Sequence, residues 1–315
     1  MSSSTLPLVS VAIPLFKSRR FLDCIISNLE AIDYPNIEVI ISDRHCADDA
    51  IELLADRFKA DSRLRLLKGS DQLNWVEHYN LLLQLASGQY FLWMPHDDSY
   101  PSDYISQLVL CLENHPDAML AYGRLRRVDL DGHPVSGSTR SDIPVALGEQ
   151  WSLRAALRLL IFWNIGVPFR GVFRRDVVIQ SGLLIRPTYE TVAADKYWVF
   201  GLALKGCLRL VPSCYCMKRM YPTSTSAQWG PRRTRHVIDG GLVLCSYIKD
   251  FASNRREVCY AVAMVFLWVS LRLIGLCTQN WRWLSEHSRR SLLKFLEGTL
   301  FTAFHKKRKL SQFEK

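Results

Sequence analysis

Two adjacent carboxylates, Asp97 and Asp98, follow the apolar run 90–94 and are the residues of this 315-residue chain best suited to chemistry. Carboxylate oxygens are hard ligands, and a pair at the end of a strand can hold Mg²⁺ or Mn²⁺ together with substrate phosphates. Because the chain turns where a strand ends, both side chains can face one pocket. The alternative is an ordinary turn or helix cap, since Ser-Tyr-Pro follows. The burial expected of the preceding strand favours a functional site.

Other single carboxylates offer weaker candidates. Asp43 ends the apolar run 38–42 and could accept hydrogen bonds from a base or ribose, or simply cap the next turn. Asp195 begins a helical pattern, where it could act as a general base or merely stabilise the helix N-terminus. Glu190, five residues earlier, is a second candidate base. Three histidines share no metal-ligand spacing, so we expect surface or capping roles for His78, His96 and His115.

The elements that must position these residues alternate between strands and helices. Strands are predicted over 8–15, 38–42, 64–68 and 90–94, and helices over 21–32, 50–58 and 75–86, the last with Gly88 as its C-cap. Such alternation predicts a mainly parallel sheet covered by helices, with ligands beyond the carboxyl ends of the strands. Those ends carry Pro14, Asp43 and Asp97.

The pattern continues less regularly beyond the aspartate pair. A helix from 101 to 112, a strand over 119–124, a turn over 129–132 and a loop over 136–142 are predicted. A helix over 151–163, a strand over 171–174 and a helix over 195–204 that ends at Gly206 follow. The last third favours helices to the end of the chain.

The formal net charge of +10 suits anionic partners. Nucleic acid is not expected, because the basic residues of 232–256 and 305–309 do not alternate with aromatic residues as a stacking platform would require. The 9 cysteines form no CxxC pair and should be reduced. The N-terminus has no basic leader and its apolar run contains prolines, so a cytoplasmic location is expected.

The apolar segment 258–277 approaches the length of a membrane span, but Arg272 interrupts it and Trp281 and Trp283 follow. We therefore expect docking on an anionic membrane surface, at the inner face of the cell membrane. A helix packed in a bundle is the main alternative, and a true span is the third.

Four segments of the chain resemble those of the family 2 glycosyltransferases with the GT-A fold. They are the opening strand 9–14, the second strand 37–43, the stretch 80–98 with its DxD-like end, and the stretch 195–212 that contains Asp195. The resemblance covers approximately residues 8–225. Their joint order is specific although each motif alone is weak.

The resemblance implies an α/β GT-A fold, a Rossmann-like and mainly parallel sheet flanked by helices, with a C-terminal helical extension. It implies a donor nucleotide-diphosphate sugar, UDP being the expected nucleotide, Mg²⁺ or Mn²⁺, and a glycan or lipid-linked acceptor. The implied roles are nucleotide contacts for Pro14, Asp43, Asn80 and Asp97, metal coordination for Asp98, and deprotonation of the acceptor for Asp195.

Some positions depart from the family pattern. His96 stands where the commoner motif has a first acid, and Ala194 precedes Asp195 where an acid is frequent, which keeps Glu190 open as the base. A single addition is expected, in bacterial surface-polysaccharide synthesis.

The expected organisation is a glycosyltransferase domain over 1–228, with a nucleotide-binding half 1–100 and an acceptor half 101–228, followed by a basic helical region 229–315. Two other functions compete with this one. A catalytically silent nucleotide-sugar-binding protein could keep the same fold, and a nucleotidyltransferase would need a Gly-rich basic loop that 16–20 lacks.

Overall fold

The computed structural model describes residues 6–44, 48–69, 72–135, 157, 166–230, 233–252 and 255–277. The strands are β1 (Val9–Leu15), β2 (Ile37–Asp43), β3 (Leu64–Lys68), β4 (Tyr90–Trp93), β5 (Ala118–Val128), β6 (Val172–Arg174) and β7 (Cys207–Arg219). The helices are α1 (Leu22–Ala31), α2 (Ala50–Arg57), α3 (Trp75–Leu85), α4 (Tyr104–Asn114), α5 (Arg175–Ser181), α6 (Ala194–Lys205), α7 (Thr225–Gln228), α8 (Thr234–Phe251) and α9 (Arg255–Cys277). Short 3₁₀ helices cover Arg19–Phe21, Val167–Arg170 and Tyr189–Thr191.

The described strands form one sheet in the order β3-β2-β1-β4-β6-β5-β7. β1 pairs in parallel with β2 and β4, β2 with β3, and β5 with β7, whereas β6 is antiparallel to both of its neighbours. Every residue of β1 and β4 is buried, as continuous apolar strands in a covered parallel sheet should be. The predicted α/β class with a mainly parallel sheet is confirmed.

The end of α3 differs from the prediction. The helix is capped at Ala86, whose backbone is extended, and Gly88 lies against β1. A Cβ at Gly88 would stand 2.6 Å from Ser10 Oγ and 2.7 Å from Ser10 N. Gly88 is therefore required by the close approach of two chain segments and is not a helix C-cap, so that prediction was wrong.

The long strand β7 was not predicted from the sequence. It mixes cysteines with charged residues and contains Pro212, so it shows neither alternation nor a continuous apolar run. Its place at the edge of the sheet, next to β5 alone, explains why a proline is tolerated there. The carboxyl end of β7 delivers Lys218 and Arg219 to the region beyond the aspartate pair.

The C-terminal helices pack on α6. Gly240 lets α8 approach Tyr197 closely, since a Cβ there would lie 2.3 Å from the Tyr197 hydroxyl. The Trp268 ring of α9 meets Tyr197 edge to face, with ring centroids 6.3 Å apart. One face of α9 is thus packed, as the bundle alternative anticipated. None of the helices in the described ranges is long and apolar enough to span a membrane.

Several predicted elements lie outside the described residues. They are the loop 136–142, the helix 151–163 apart from the buried and helical Leu157, and the segment 278–315. The proposed division at residue 229 stays a prediction, although buried side chains of α8 and α9 belong to the same hydrophobic core as the sheet.

Candidate functional site

A cavity of about 530 Å³ lies beyond the carboxyl ends of β1 and β4. Its wall joins residues from the start of α3, the start of α6, the end of β7 and the loop that contains α7. Of the site residues predicted from the sequence, those in this wall are Pro14, Asp97 and Asp195. The sheet therefore brings together residues that lie far apart in the sequence, at the edge where ligands of such sheets bind.

Asp97 lies in this wall, four residues after β4. Its Oδ2 accepts a hydrogen bond of 2.8 Å from the Tyr221 hydroxyl, and its backbone oxygen accepts one of 2.9 Å from Arg219 Nη1. Tyr221 is itself held between the Phe21 ring, 5.3 Å away, and the Arg20 guanidinium, 4.5 Å from the ring centroid. The carboxylate is thus partly buried and oriented, with room for a ligand in the cavity.

Asp98 does not share this environment. Its side chain is 0% exposed, and Oδ2 accepts a hydrogen bond of 2.5 Å from Arg170 Nε. The backbone N–H of Arg219 donates to Oδ1 at 3.3 Å. The two aspartates therefore do not both line the cavity: the turn after β4 leaves Asp97 at the wall and Asp98 in a buried ion pair. The predicted metal contact of Asp98 would have to replace bonds that the protein already makes.

The charged groups around the Asp98–Arg170 ion pair shift one another's pKa values. Burial raises the pKa of Asp98, and the Asp97 carboxylate adds to that rise while Arg170 opposes it. Burial alone would lower the pKa of Arg170, but Asp98, together with Tyr100 and Cys216, more than offsets it and keeps the guanidinium protonated. Arg170, with help from burial, lowers the pKa of Lys218 in the cavity wall. Two cations thus stand side by side next to one buried carboxylate.

Asp195 lies in the first turn of α6 and faces the same cavity. Its Oδ1 is buried and has no hydrogen-bond partner in the described part of the chain. The backbone just before it is unusual, since Glu190, Thr191 and Ala193 have φ angles of 53°, 54° and 60°. Left-handed conformations at three such residues cost free energy and cluster at functional sites. An acidic side chain held in this way is placed to accept a proton.

Glu190, the other candidate base, lies elsewhere. Its Oε2 is 2.9 Å from His236 Nε2, and its side chain is 47% exposed. Because His236 Nδ1 accepts a hydrogen bond from the backbone N–H of Arg233, Nε2 carries the proton that binds Glu190. This bond, with Arg233 nearby, lowers the pKa of Glu190. Glu190 is not among the described residues that line the cavity.

Of the remaining predicted nucleotide contacts, one lies in the cavity wall and two do not. Pro14 lines the cavity, and its carbonyl oxygen accepts a hydrogen bond of 3.1 Å from His96 Nδ1. Asp43 is 2% exposed at the end of β2 and stands outside the described cavity wall. Asn80 also stands outside it, because both ends of its amide bind the backbone of Ile185, at 2.8 Å and 2.9 Å.

The histidine predictions were right for one residue. His115 bonds Cys111 O at 2.8 Å at the end of α4, which is a capping role. His78 is instead buried, bonds Ser42 Oγ at 3.0 Å, and lines the cavity, as does His96. A single sequence gives no partner for a histidine on a helix, so burial against the end of a neighbouring strand could not be foreseen.

Sequence reasoning also missed several residues of the wall. They are Trp75, Arg170, Lys218, Tyr221 and Trp229. Arg170 offered a signal, since it is a lone charge inside the otherwise apolar and glycine-bounded stretch 166–171. Lys218, Tyr221 and Trp229 depend on β7 and on the connection after it, which were not predicted. Trp75 begins a predicted helix and carried no signal of its own.

The sequence model of the family "Glycosyl transferase family 2" matches residues 10–180. A relative from Haemophilus influenzae, named as an uncharacterized glycosyltransferase, is 24% identical over 226 residues, which are 70% of this chain and 68% of the relative. The match to the family model spans β1 to β6 and includes Asp97 and Asp98.

Two solved structures share the fold. Residues 1–349 of S. aureus TarS, crystallised with UDP-GlcNAc, give a TM-score of 0.66 at 12% identity, covering 92% of this chain and 80% of that one. The mannosyltransferase PcManGT of Pyrobaculum calidifontis, in complex with GDP-Man and Mn²⁺, gives 0.56 at 16% identity, covering 96% and 87%. Because the sequence identities are this low, the similarity to these two structures shows a shared fold alone.

The buried ion pair generates a stability prediction. Arg170→Met leaves Asp98 buried without its counter-charge, and we expect unfolding in urea to become easier by about 3 kcal/mol near neutral pH. The raised folded-state pKa of Asp98 makes the folded variant bind a proton that the unfolded chain releases. The loss should therefore shrink as pH falls from about 8 towards the unfolded pKa of about 4.

The matched control is Arg57→Met, which breaks an exposed pair with Glu30 and should leave the urea midpoint unchanged. Equal effects of the two substitutions, or a loss for Arg170→Met that does not depend on pH, would show that the buried pair does not carry this stability.

Proposed function

The chain belongs to glycosyl transferase family 2, and from that premise we propose that this glycosyltransferase moves one sugar from a nucleotide-diphosphate donor onto a hydroxyl of a glycan or lipid-linked acceptor, with inversion. One observation carries the proposal: Asp97 and Asp195, which lie on different elements, face one cavity at the carboxyl edge of the sheet. A donor-binding group and a base are both needed in one place for such a transfer.

The donor end of the cavity suits a diphosphate. Asp97 presents a carboxylate to the cavity, and Mg²⁺ or Mn²⁺ commonly binds through one or two carboxylates together with substrate phosphates. We assign the metal contact to Asp97, because the oxygens of Asp98 already bind Arg170 and the Arg219 backbone. The metal, when bound, would neutralise charge on the leaving diphosphate. Lys218 and Arg170 supply fixed positive charge to the same leaving group.

Asp195 is the proposed base at the acceptor end of the cavity. The acceptor oxygen attacks the anomeric carbon from the face opposite the nucleotide, and its proton passes to the carboxylate of Asp195, which lines the cavity. The bond to the new acceptor oxygen forms as the bond to the diphosphate oxygen breaks, so one step inverts the anomeric centre. Glu190 is bound to His236 and takes no part in this scheme.

The setting is proposed from the sequence. We expect a single addition, in bacterial surface-polysaccharide synthesis, although residues 279–283, Gln-Asn-Trp-Arg-Trp, have the spacing of the processive-synthase motif. The nucleotide is expected to be UDP; the two similar structures hold UDP-GlcNAc and GDP-Man. A lipid-linked acceptor would be met at the cytoplasmic face of the membrane, where the basic C-terminal segment can dock.

The donor and metal assignment is tested by calorimetry. We expect one of UDP, GDP, dTDP and CMP to bind more tightly with Mn²⁺, and Asp97→Asn to weaken that Mn²⁺-dependent binding by at least about 10-fold. Asp98→Asn, checked for folding by its melting curve, should keep the Mn²⁺ dependence. Loss of the dependence in Asp98→Asn alone would return the metal to Asp98. No binding of any nucleotide would favour the silent-protein alternative.

The base is tested by donor turnover. Asp195→Asn should lower kcat for release of the nucleoside diphosphate by about 10³-fold, with nucleotide affinity unchanged, since it removes a proton acceptor and little volume. Glu190→Gln is the matched control and should lose far less, because glutamine can still bind His236. The reverse order of these two losses would make Glu190 the base.

Membrane docking is tested on the full chain, because deleting α9 would remove buried side chains such as Met264 and Trp268. Phe266 is 73% exposed on the same helix. Phe266→Glu should lower partition into vesicles containing phosphatidylglycerol by about 10-fold, whereas Phe266→Leu should change it little. Equal partition of the parent and Phe266→Glu would remove this helix from any membrane contact.

A further inference from the structure

Two indole rings form part of the cavity wall that the proposed chemistry leaves without a role. Trp75 is the first residue of α3, and Trp229 directly follows α7. Both line the cavity, with ring centroids 6.5 Å apart and planes inclined by 38°. Large aromatic faces at a cavity wall are surfaces for the flat, apolar side of a ligand.

The Trp75 ring is backed by a column of other aromatic rings. Trp75 meets Tyr79 edge to face at 5.5 Å, Tyr79 stacks on Phe169 at 5.8 Å, and Phe169 stacks on Trp93 at 4.9 Å. Trp93 is 0% exposed in the core of the sheet. A column of rings therefore runs from the core to the cavity wall, so a ligand that stacks on Trp75 need not order the ring first.

Two buried polar atoms belong to this side of the cavity. Nε1 of Trp75 has no hydrogen-bond partner in the described ranges, and neither has Asp195 Oδ1. One is a donor and the other an acceptor, and a buried polar group without a partner is costly. Neither atom is accessible to water, so a ligand in the cavity meets the indole faces and the other atoms of Asp195.

Tyr79 links the indoles to the carboxylates. Burial raises the pKa of Tyr79, and the negative charges of Asp97 and Asp195 add to that rise, so its hydroxyl lies within electrostatic reach of both carboxylates. The Trp75 ring packs directly on this tyrosine. Trp75, Tyr79 and Asp195 line the same cavity, so the indole surface and the base belong to one wall.

We propose that Trp75 and Trp229 bind a saccharide ring of the acceptor, with its C–H face on the indoles and its reacting hydroxyl towards the Asp195 carboxylate. This rests on the proposed function, since Asp195 defines which hydroxyl reacts. A sugar ring combines an apolar face with a rim of hydroxyls. An acyclic acceptor that also carries hydroxyls, such as a polyol phosphate, has no such face. The acceptor is therefore a glycan or glycolipid whose terminal unit is a sugar.

The test uses saturation-transfer NMR on the full chain with the nucleoside diphosphate that calorimetry selects. The probes are the methyl glycosides of glucose, galactose, mannose and N-acetylglucosamine, with glycerol 3-phosphate as the polyol phosphate. We expect at least one glycoside to bind, with its signal concentrated on one face of the ring. Trp229→Leu should weaken that binding by about 10-fold, while Trp229→Phe, which keeps an aromatic face, should retain most of it.

Trp75→Leu should weaken glycoside binding by about 10-fold, whereas Trp75→Phe, which keeps an aromatic face, should retain most of it. Phe266→Leu, an aromatic change on α9 outside the cavity, is the matched control and should change nothing. In every variant the affinity for the nucleoside diphosphate should stay within about twofold of the parent.

Each other outcome overturns the proposal. Glycoside binding that survives Trp229→Leu would remove the indoles from the site, and binding of glycerol 3-phosphate alone would make the acceptor a polyol phosphate. Nucleotide affinity that falls in Trp229→Leu would assign the indoles to the nucleobase of the donor. If the parent binds no nucleoside diphosphate, the proposed function itself fails; if it binds the nucleotide but no glycoside, only this inference fails.

Discussion

The buried ion pair between Asp98 and Arg170 constrains most of the site. It joins the turn after β4 to the 3₁₀ helix Val167–Arg170, and the backbone N–H of Arg219 adds the end of β7 to the same carboxylate. A buried charge is tolerated when it is paired and hydrogen-bonded, so these three segments can move apart only by leaving a charge alone. Because Asp98 is fixed inward, its neighbour Asp97 is left at the cavity wall, where a ligand can reach it.

A second constraint acts on the other side of the cavity, at the strained backbone before Asp195. Helix α8 holds this segment: His236 binds Glu190, and Asp239 accepts a 2.6 Å hydrogen bond from the Tyr189 N–H. The Arg235 guanidinium lies 4.0 Å from the centroid of the Tyr189 ring. Left-handed conformations persist when their surroundings over-determine them. The C-terminal helices thus belong to the scaffold of the site, and the GT-A sheet alone would not position Asp195.

The sequence allowed much of the sheet to be predicted and less of the site. Buried parallel strands are largely apolar, so β1 and β4 could be predicted, and the carboxyl end of β4 located Asp97 within the cavity wall. Alternation stops where a strand ends, however, so nothing in the sequence could tell which aspartate turns inward. That choice depends on Arg170, which comes from a distant segment. Edge strand β7 follows no simple pattern, and Lys218 and Trp229 were missed with it.

The two ends of the cavity differ in chemical character, and this difference suits the cavity to a transfer between two substrates. Around Asp97 the groups are charged: Arg170 and Lys218 repel each other, which lowers the pKa of Lys218, and an anion between them would relieve that repulsion. Around Trp75 the wall is aromatic and uncharged, with the Trp229 ring centroid 6.5 Å from that of Trp75. A diphosphate suits the first environment, and the apolar face of a neutral sugar suits the second. One cavity can therefore hold both substrates in a fixed order across the sheet edge.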